Sequence, residues 1–351
     1  MKNSTISTPE GTKEFKKILY IGDIHGSHLL KGFVDRFDES YYVVLCGDLF
    51  DRGDHSAEVY ETVRKLHEQG RLTMVQGNHD LFFSLSFGMR GESRSKFAEK
   101  AKSVLSDIDR VILCETFTDQ FYSNGGESTM ISFAKAYGTN LATKVDEIID
   151  FLMQFGLYAI DPANNLVAHG TGAMFLVDGS PVGETIGGQF ISGFDYVHEL
   201  NIGFRNLDRN TLFRLTARER ELGTRIYEDM ERNGAIRNPE FVKGNWSYPV
   251  DMVQTWFSNR IFTDPRYSDA HKALRNELDR YGLGRMICGH WMNDSQTFGK
   301  PNDPEMEKYG DTIIRLDRSA CVGYGSFGYA VLDIESNTIE EVGDSIDFMR
   351  N

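Results

Sequence analysis

The chain has 351 residues, enough for one large domain or two ordinary ones at the usual roughly 100–200 residues per domain. Its formal net charge is −14, from 52 acidic and 38 basic side chains. That excludes a protein that grips long nucleic acid or an anionic membrane by its overall charge, because both need a basic face. With 40% hydrophobic and 12% aromatic residues, the chain can bury a real core and is not a disordered linker. The cysteines Cys46, Cys114, Cys288 and Cys321 form no C-x-x-C pair, so neither a zinc knuckle nor a disulfide framework is indicated. The polar start MKNSTISTPEGTKEFKK lacks the apolar region of a signal peptide, and no run reaches the ~18 apolar residues of a membrane span. The expectation is a reduced, cytoplasmic protein without a membrane partner.

In chain order, residues 1–15 read as a flexible leader. Lys17–Ile21 is a short apolar run suited to a buried strand, followed by a helical stretch from His28 to Phe37. Tyr41–Cys46 is a second buried strand and Leu72–Val75 a third. Between them, Ser56–Gln69 has Val59, Val63 and Leu66 at helical spacing and Gly70 as its stop. This alternation predicts a largely parallel sheet with right-handed crossovers. Glu92–Val111 and Ala142–Phe155 read as helices, and Asn165–Ala168 as a strand. Residues 171–245, Gly-rich and then charged with a helix near Thr216–Arg232, read as an insertion in a single domain spanning 16–345. Arg285–Cys288, Thr312–Leu316, Tyr329–Asp333 and Thr338–Val342 read as closing strands.

The strands share one feature, which is that several end in a short polar cluster. These are Gly22-Asp23-Ile24-His25-Gly26, Gly47-Asp48-Leu49-Phe50-Asp51-Arg52-Gly53, Gly77-Asn78-His79-Asp80, His169-Gly170 and Gly289-His290. Ligands of α/β sheets bind at the C-terminal ends of strands, so segments remote in sequence can converge there. A mixed carboxylate, amide and imidazole set suits transition metals better than calcium or structural zinc, and six donors exceed one tetrahedral site. Taken singly, each Gly-Asp is as well explained by a turn or a helix cap. Their order and shared position are what carry the reading.

The series GDIHG, GDLFDRG, GNHD, HG and GH resembles the calcineurin-like metallophosphoesterases, and the DRG resembles the branch holding the Ser/Thr protein phosphatases. The resemblance implies an α/β fold, a β-sandwich of two mixed sheets flanked by helices. It implies that Asp23, His25 and Asp48 hold one divalent metal ion and that Asp48, Asn78, His169 and His290 hold a second, with Asp48 bridging. Manganese is the implied metal, with iron or zinc as alternatives. His79 would be the general acid, oriented by Asp51, and Arg52 would bind the phosphate of a phosphorylated substrate. The implied reaction is hydrolysis of a phosphomonoester by metal-activated hydroxide, as in phosphoserine/phosphothreonine phosphatases. A degenerate, non-catalytic binding protein on the same fold is the alternative of a different class.

There are departures from the pattern. Gln76 stands where the family often has arginine, and Asp80-Leu81 is closer to the diadenosine tetraphosphate hydrolases, which gives the runner-up substrate. The segment Val253–Trp256 with Arg260 resembles one that supplies a further phosphate-binding arginine; otherwise Arg260 is a loop residue facing solvent. Trp246, Tyr248, Trp256 and Phe257 either line a substrate pocket or pack the insertion. His28 and His55 lie beside motifs and lack a family role. Gly323–Gly328 matches G-x-G-x-x-G, but a strand rather than a helix is expected after it, which rejects a dinucleotide site.

Overall fold

In the computed structural model, residues 5–8, 11–170, 312–316 and 325–350 and most of 176–208 and 275–289 are described. Within the stretch expected to be a flexible leader, β1 (Thr5–Thr8) and β2 (Gly11–Glu14) pair as an antiparallel hairpin. Then β3 (Lys17–Ile21), α1 (Leu29–Val34), β4 (Tyr41–Leu45), α2 (Ser56–Glu68) and β5 (Leu72–Met74) alternate as the sequence pattern indicates. Five helices follow: α3 (Asn78–Gly88), α4 (Lys96–Val104), α5 (Asp107–Ser123), α6 (Gly126–Tyr137) and α7 (Leu141–Leu152). The hairpin of β6 (Tyr158–Ile160) and β7 (Leu166–Ala168) leads to His169.

The single helix expected over Glu92–Val111 is instead two. Leu105 is extended, and Ser106 caps α5 by accepting the Asp109 N–H at 3.1 Å. With Asp107 and Asp109 in its first turn, this is a fresh helix start that an apolar pattern reads through.

Residues Gly170–Leu283 form a compact unit of their own, which encloses the stretch read as an insertion. Its described elements are the short pairs β8 (Leu176–Val177) with β9 (Ser180–Pro181) and β10 (Gly183–Ile186) with β11 (Gln189–Ser192), then α8 (Gly193–Asn206). The helix expected near Thr216–Arg232 lies outside the described residues. The other unit comprises Met1–His169 and Gly284–Asn351. It closes with β12 (Met286–Cys288), β13 (Ile313–Arg315), β14 (Gly328–Asp333), β15 (Thr338–Asp344) and α9 (Ser345–Arg350).

Two mixed sheets result, in the orders β15-β14-β3-β4-β5 and β13-β12-β7-β6. Strands β3, β4 and β5 run parallel, and β14 is antiparallel to β3. In the second sheet β12 is parallel to β7 and β13. Ile18, Tyr20 and Val44 of one sheet share a core with Val167, Ile287 and Ile314 of the other. The alternate residues Leu19 and Ile21 are also fully buried, which is why β3 reads as an unbroken apolar run. On the outer face Phe33 of α1 meets Tyr329 at a ring distance of 5.0 Å.

One polar group crosses that core. The Tyr20 hydroxyl donates to the Asp161 carboxylate and accepts from Asn165 Nδ2 at 2.9 Å. Asp161 also takes the N–H groups of Ala163 and Asn165, both at 2.8 Å, and Asn165 Oδ1 takes that of Arg285 at 3.0 Å. A tyrosine of the first sheet thus bonds the β6–β7 turn of the second, and Asn165 of that turn bonds the approach to β12. Tyr20→Phe is expected to cost about 1–3 kcal/mol of stability, because it strips a buried carboxylate and amide of their shared partner. Urea unfolding measures this, and an unchanged midpoint would contradict it.

Candidate metal centre

Asp23 follows β3, Asp48 follows β4, Asn78 and His79 open α3 after β5, and His169 follows β7. All five, with His25, are buried. The two parallel sheet edges therefore bring four of the sequence clusters to one place. The backbone there is unusual. His25, Asp48, Asp51 and Arg52 all have positive φ, of 45°, 53°, 70° and 67°. Each such residue costs on the order of 1–3 kcal/mol, and strain of this kind concentrates at functional sites.

Among the described residues, two groups of donors have their ligand atoms within 4.8 Å of one another: His25, Asp48 and His79, and Asp23, Asp48 and His169. Asp48 belongs to both. Its Oδ2 lies 3.6 Å from His25 Nε2, 3.9 Å from His79 Nε2 and 3.2 Å from His169 Nε2. The other ring nitrogens of His25 and His169 meet main-chain carbonyls, and His169 Nδ1 also lies 3.8 Å from Asp23 Oδ1. His25 Nδ1 donates to the Phe50 carbonyl at 3.0 Å, and His169 Nδ1 donates to that of Cys46 at 2.7 Å. A carbonyl only accepts, so each bond places the proton on Nδ1 and turns Nε2 inward. Asn78 Oδ1 lies 3.0 Å from His169 Nε2.

Electrostatics follow from burial and this crowding. Burial opposes ionisation of Asp48, but His169, His79 and His25 outweigh it and hold the carboxyl well below its usual range. Burial likewise opposes charge on His169, and Asp48 and Asp23 overcome it, lifting the imidazole to about 10. Burial, and then the neighbouring His79, push His25 well below the ordinary histidine value. Two buried carboxylates so close together require cationic compensation. Inward Nε2 atoms, outer Nδ1–H bonds to carbonyls and a shared carboxylate make a donor set that fits divalent metal ions.

Asp48 Oδ1 accepts the His79 N–H at 3.0 Å, so it acts as the acceptor at the start of α3 that Gly77, without a side chain, cannot supply. Gly77 is required by contact: a Cβ there would lie 2.0 Å from Asp48 Oδ1. Gly289 stands in the same relation to Asp23, at 2.1 Å. Asp80 accepts from the N–H groups of Asp48, Leu49 and Gly77, at 2.9, 3.0 and 3.0 Å. It locks the second cluster onto the third. Its role could have been suspected only from an acidic residue in the first turn of a helix.

His79 Nδ1 meets Asp51 Oδ2 at 2.8 Å. Burial works against a charge on His79, and Asp48 and Asp51 more than offset it, raising its titration above the usual range. Thr129 of α6 bonds Asp51 twice, accepting its N–H at 2.8 Å and donating to Oδ1 at 2.9 Å. No sequence motif pointed to Thr129. Phe50 anchors the same loop, with its ring 5.6 Å from Phe83 and 5.4 Å from Phe133. Arg52 is exposed beside these buried groups, its N–H bonded to Gly125 O at 3.3 Å and Nη1 3.4 Å from His25 Nε2.

His290 and Arg260 lie outside the described residues, as do Trp246, Tyr248, Trp256 and Phe257. Gln76 Nε2 donates to Phe155 O at 2.8 Å, so this departure from arginine has its amide nitrogen committed to the end of the α7 segment. The His28 and His55 rings lie 5.6 Å apart, with His55 Nδ1 held by Asp54 at 2.6 Å. The G-x-G-x-x-G match is followed by β14 and not by a helix, the expected departure from a dinucleotide site. Gly77→Ala is expected to push Asp48 aside and weaken metal affinity by about 10- to 100-fold, the range seen when groups that orient ligands are disturbed. Calorimetric titration with Mn²⁺ measures this, and wild-type affinity would contradict it.

No helix among the described residues is long and apolar enough to cross a membrane. No curated protein sequence matches the chain significantly. Among solved structures, it is similar to the cold-active protein-tyrosine phosphatase of a psychrophilic Shewanella species, with 16% identity and a TM-score of 0.47 over 97% of this chain and 87% of that one. It is also similar to a protein serine/threonine phosphatase of Saccharomyces cerevisiae, itself described as similar to human phosphatase PP5, with 14% identity and a TM-score of 0.44 over 97% and 82% of the two chains. Residues 16–197, more than half of the sequence, match the family described as calcineurin-like phosphoesterase. By that match, which takes in the clusters around Asp23, Asp48, Asn78 and His169, the chain belongs to the calcineurin-like phosphoesterase family.

Proposed function

We propose that this protein is a dinuclear metal-dependent phosphomonoesterase with protein phosphatase-like specificity for phosphoserine and phosphothreonine. The observation that carries the reading is Asp48, whose carboxylate is common to both donor groups and lies next to the Asp51–His79 pair; Asp23, which groups with His169, also lies 3.9 Å from His25 Nε2 and so can share an ion with it. Asp23, His25 and Asp48 would hold one ion, and Asp48, Asn78, His169 and His290 the other. When bound, two divalent ions, manganese by family resemblance and iron or zinc otherwise, supply Lewis acidity to the phosphoryl oxygens and to the attacking water.

The remaining work falls to the chain. Asp51 fixes the His79 ring so that Nε2 presents a proton to the leaving oxygen, which an alkoxide needs in order to depart. Arg52 stands exposed at the rim, where its guanidinium can take two phosphoryl oxygens at once. Burial of the donor atoms excludes bulk water and strengthens each of these interactions. Arg260 is a second candidate for the phosphate. The acidic composition favours a local phosphate group over a long polyanion, and the cytoplasm is the compartment this reading assigns.

Purified protein with Mn²⁺ is expected to hydrolyse p-nitrophenyl phosphate, to lose activity in chelator and to regain it on adding metal. Asp48→Asn should abolish activity while retaining the fold; an active Asp48→Asn enzyme, or a wild type inert with every divalent metal, would overturn the proposal. A phosphoserine peptide should be cleaved in preference to diadenosine tetraphosphate. The reverse order would transfer the assignment to dinucleoside polyphosphates, which Gln76 and Asp80-Leu81 suggest.

A further inference from the structure

We infer that Thr129 is a positioning residue for the general acid, and that its single hydroxyl sets the orientation of the Asp51–His79 pair. The inference rests on the reading of His79 as the proton donor. Thr129 belongs to α6, outside every cluster that marks the family, and is fully buried with Asp51 and Ser56.

A hydroxyl has one proton and two lone pairs. The Asp51 N–H must donate, at 2.8 Å, and a carboxylate oxygen must accept, at 2.9 Å. The Thr129 proton is therefore committed to Asp51 Oδ1. The remaining lone pair faces Ser56 Oγ at 3.1 Å, so the Ser56 hydroxyl is the donor there. All three valences are then occupied and none can be rearranged without loss. The directionality passes on to Asp51. With Oδ1 turned to Thr129, the carboxylate plane is fixed so that Oδ2 faces His79 Nδ1, at 2.8 Å. The His79 Nε2 is in turn aimed at the Asp48 side of the site, 3.9 Å from Oδ2.

Thr129 also holds the Asp51 backbone. Asp51 has φ of 70°, a conformation that a non-glycine residue keeps only when its surroundings enforce it. The bond from its N–H to Thr129 is one such restraint, and the Gly125 carbonyl taking the Arg52 N–H is the next along the chain. α6 is itself tied to the start of α2, where Ala57 N donates to Ser132 Oγ at 3.1 Å. Threonine in a helix divides between two χ1 wells, and the bonds to Asp51 and Ser56 hold the Thr129 hydroxyl in one of them. Such restraint matters because small displacements of a reacting group cost large factors in rate.

A merely structural threonine would lower stability and slow every substrate alike. A positioning threonine acts where the acid is needed, on poor leaving groups. The test compares kcat for phenyl phosphate and p-nitrophenyl phosphate in wild type, Thr129→Val, Thr129→Ser and His79→Gln, each loaded with Mn²⁺. Thr129→Val should lose about tenfold or more on phenyl phosphate and stay within about threefold on p-nitrophenyl phosphate, with Thr129→Ser restoring most of the loss. Equal losses on both substrates, or no loss on either, would overturn the inference. A His79→Gln enzyme without leaving-group selectivity would instead remove the reading of His79 on which the inference rests. If Thr129→Val does not fold, Thr129→Ala is measured in its place, where a selective loss supports the inference and a uniform or absent loss overturns it.

Discussion

The Asp48 carboxylate is the constraint on which the rest of the site depends. It is buried, and both of its oxygens are engaged: Oδ1 receives the first-turn N–H of His79, and Oδ2 faces three imidazole nitrogens. An anion in that position is tolerable only where positive partners converge on it. Two separate segments meet this requirement by supplying His79 and His169, α3 adds the positive end of its dipole, and His25 turns a further ring nitrogen toward the carboxylate. Gly77 follows from the same constraint, since any side chain would collide with the carboxylate. The Asp80 carboxylate completes it by binding the backbone of Asp48 and Leu49 from α3.

Holding the loop in this form requires strain, with positive φ at Asp48, Asp51 and Arg52. The countervailing interactions lie behind the loop. Phe50 packs against both Phe83 of α3 and Phe133 of α6, and Thr129 of α6 bonds Asp51. The helical layer is therefore the support of the site as well as its cover. The net charge of −14 is no obstacle to an anionic substrate, because the local donor set has only Asp23 and Asp48 as carboxylates among three imidazoles. Two divalent ions would exceed that negative charge locally.

Much of this was legible in the sequence. Buried strands announced themselves as β-branched apolar runs, and the Gly-Asp, Gly-Asn and His-Gly endings marked where the site would form. α3 carries no such signal, because all eleven of its residues are buried, which erases the helical period in Asn78–Gly88. The break at Leu105–Ser106 turned on one capping serine. The hairpin within residues 5–14 left a signal in Pro9-Glu10-Gly11, a sequence suited to turning a chain. Thr129 left none, since its role comes from a contact between residues 78 positions apart. Asp80 is intermediate: its bond to Gly77 is local, while its bonds to Asp48 and Leu49 are purely tertiary.

Shared ligation by Asp48 is the central claim, and X-ray diffraction from crystals grown with Mn²⁺ tests it most directly. An anomalous difference map should contain two strong peaks at the ends of β3, β4 and β7, both within bonding distance of the Asp48 carboxylate. A single peak, or two peaks of which only one touches Asp48, would contradict it.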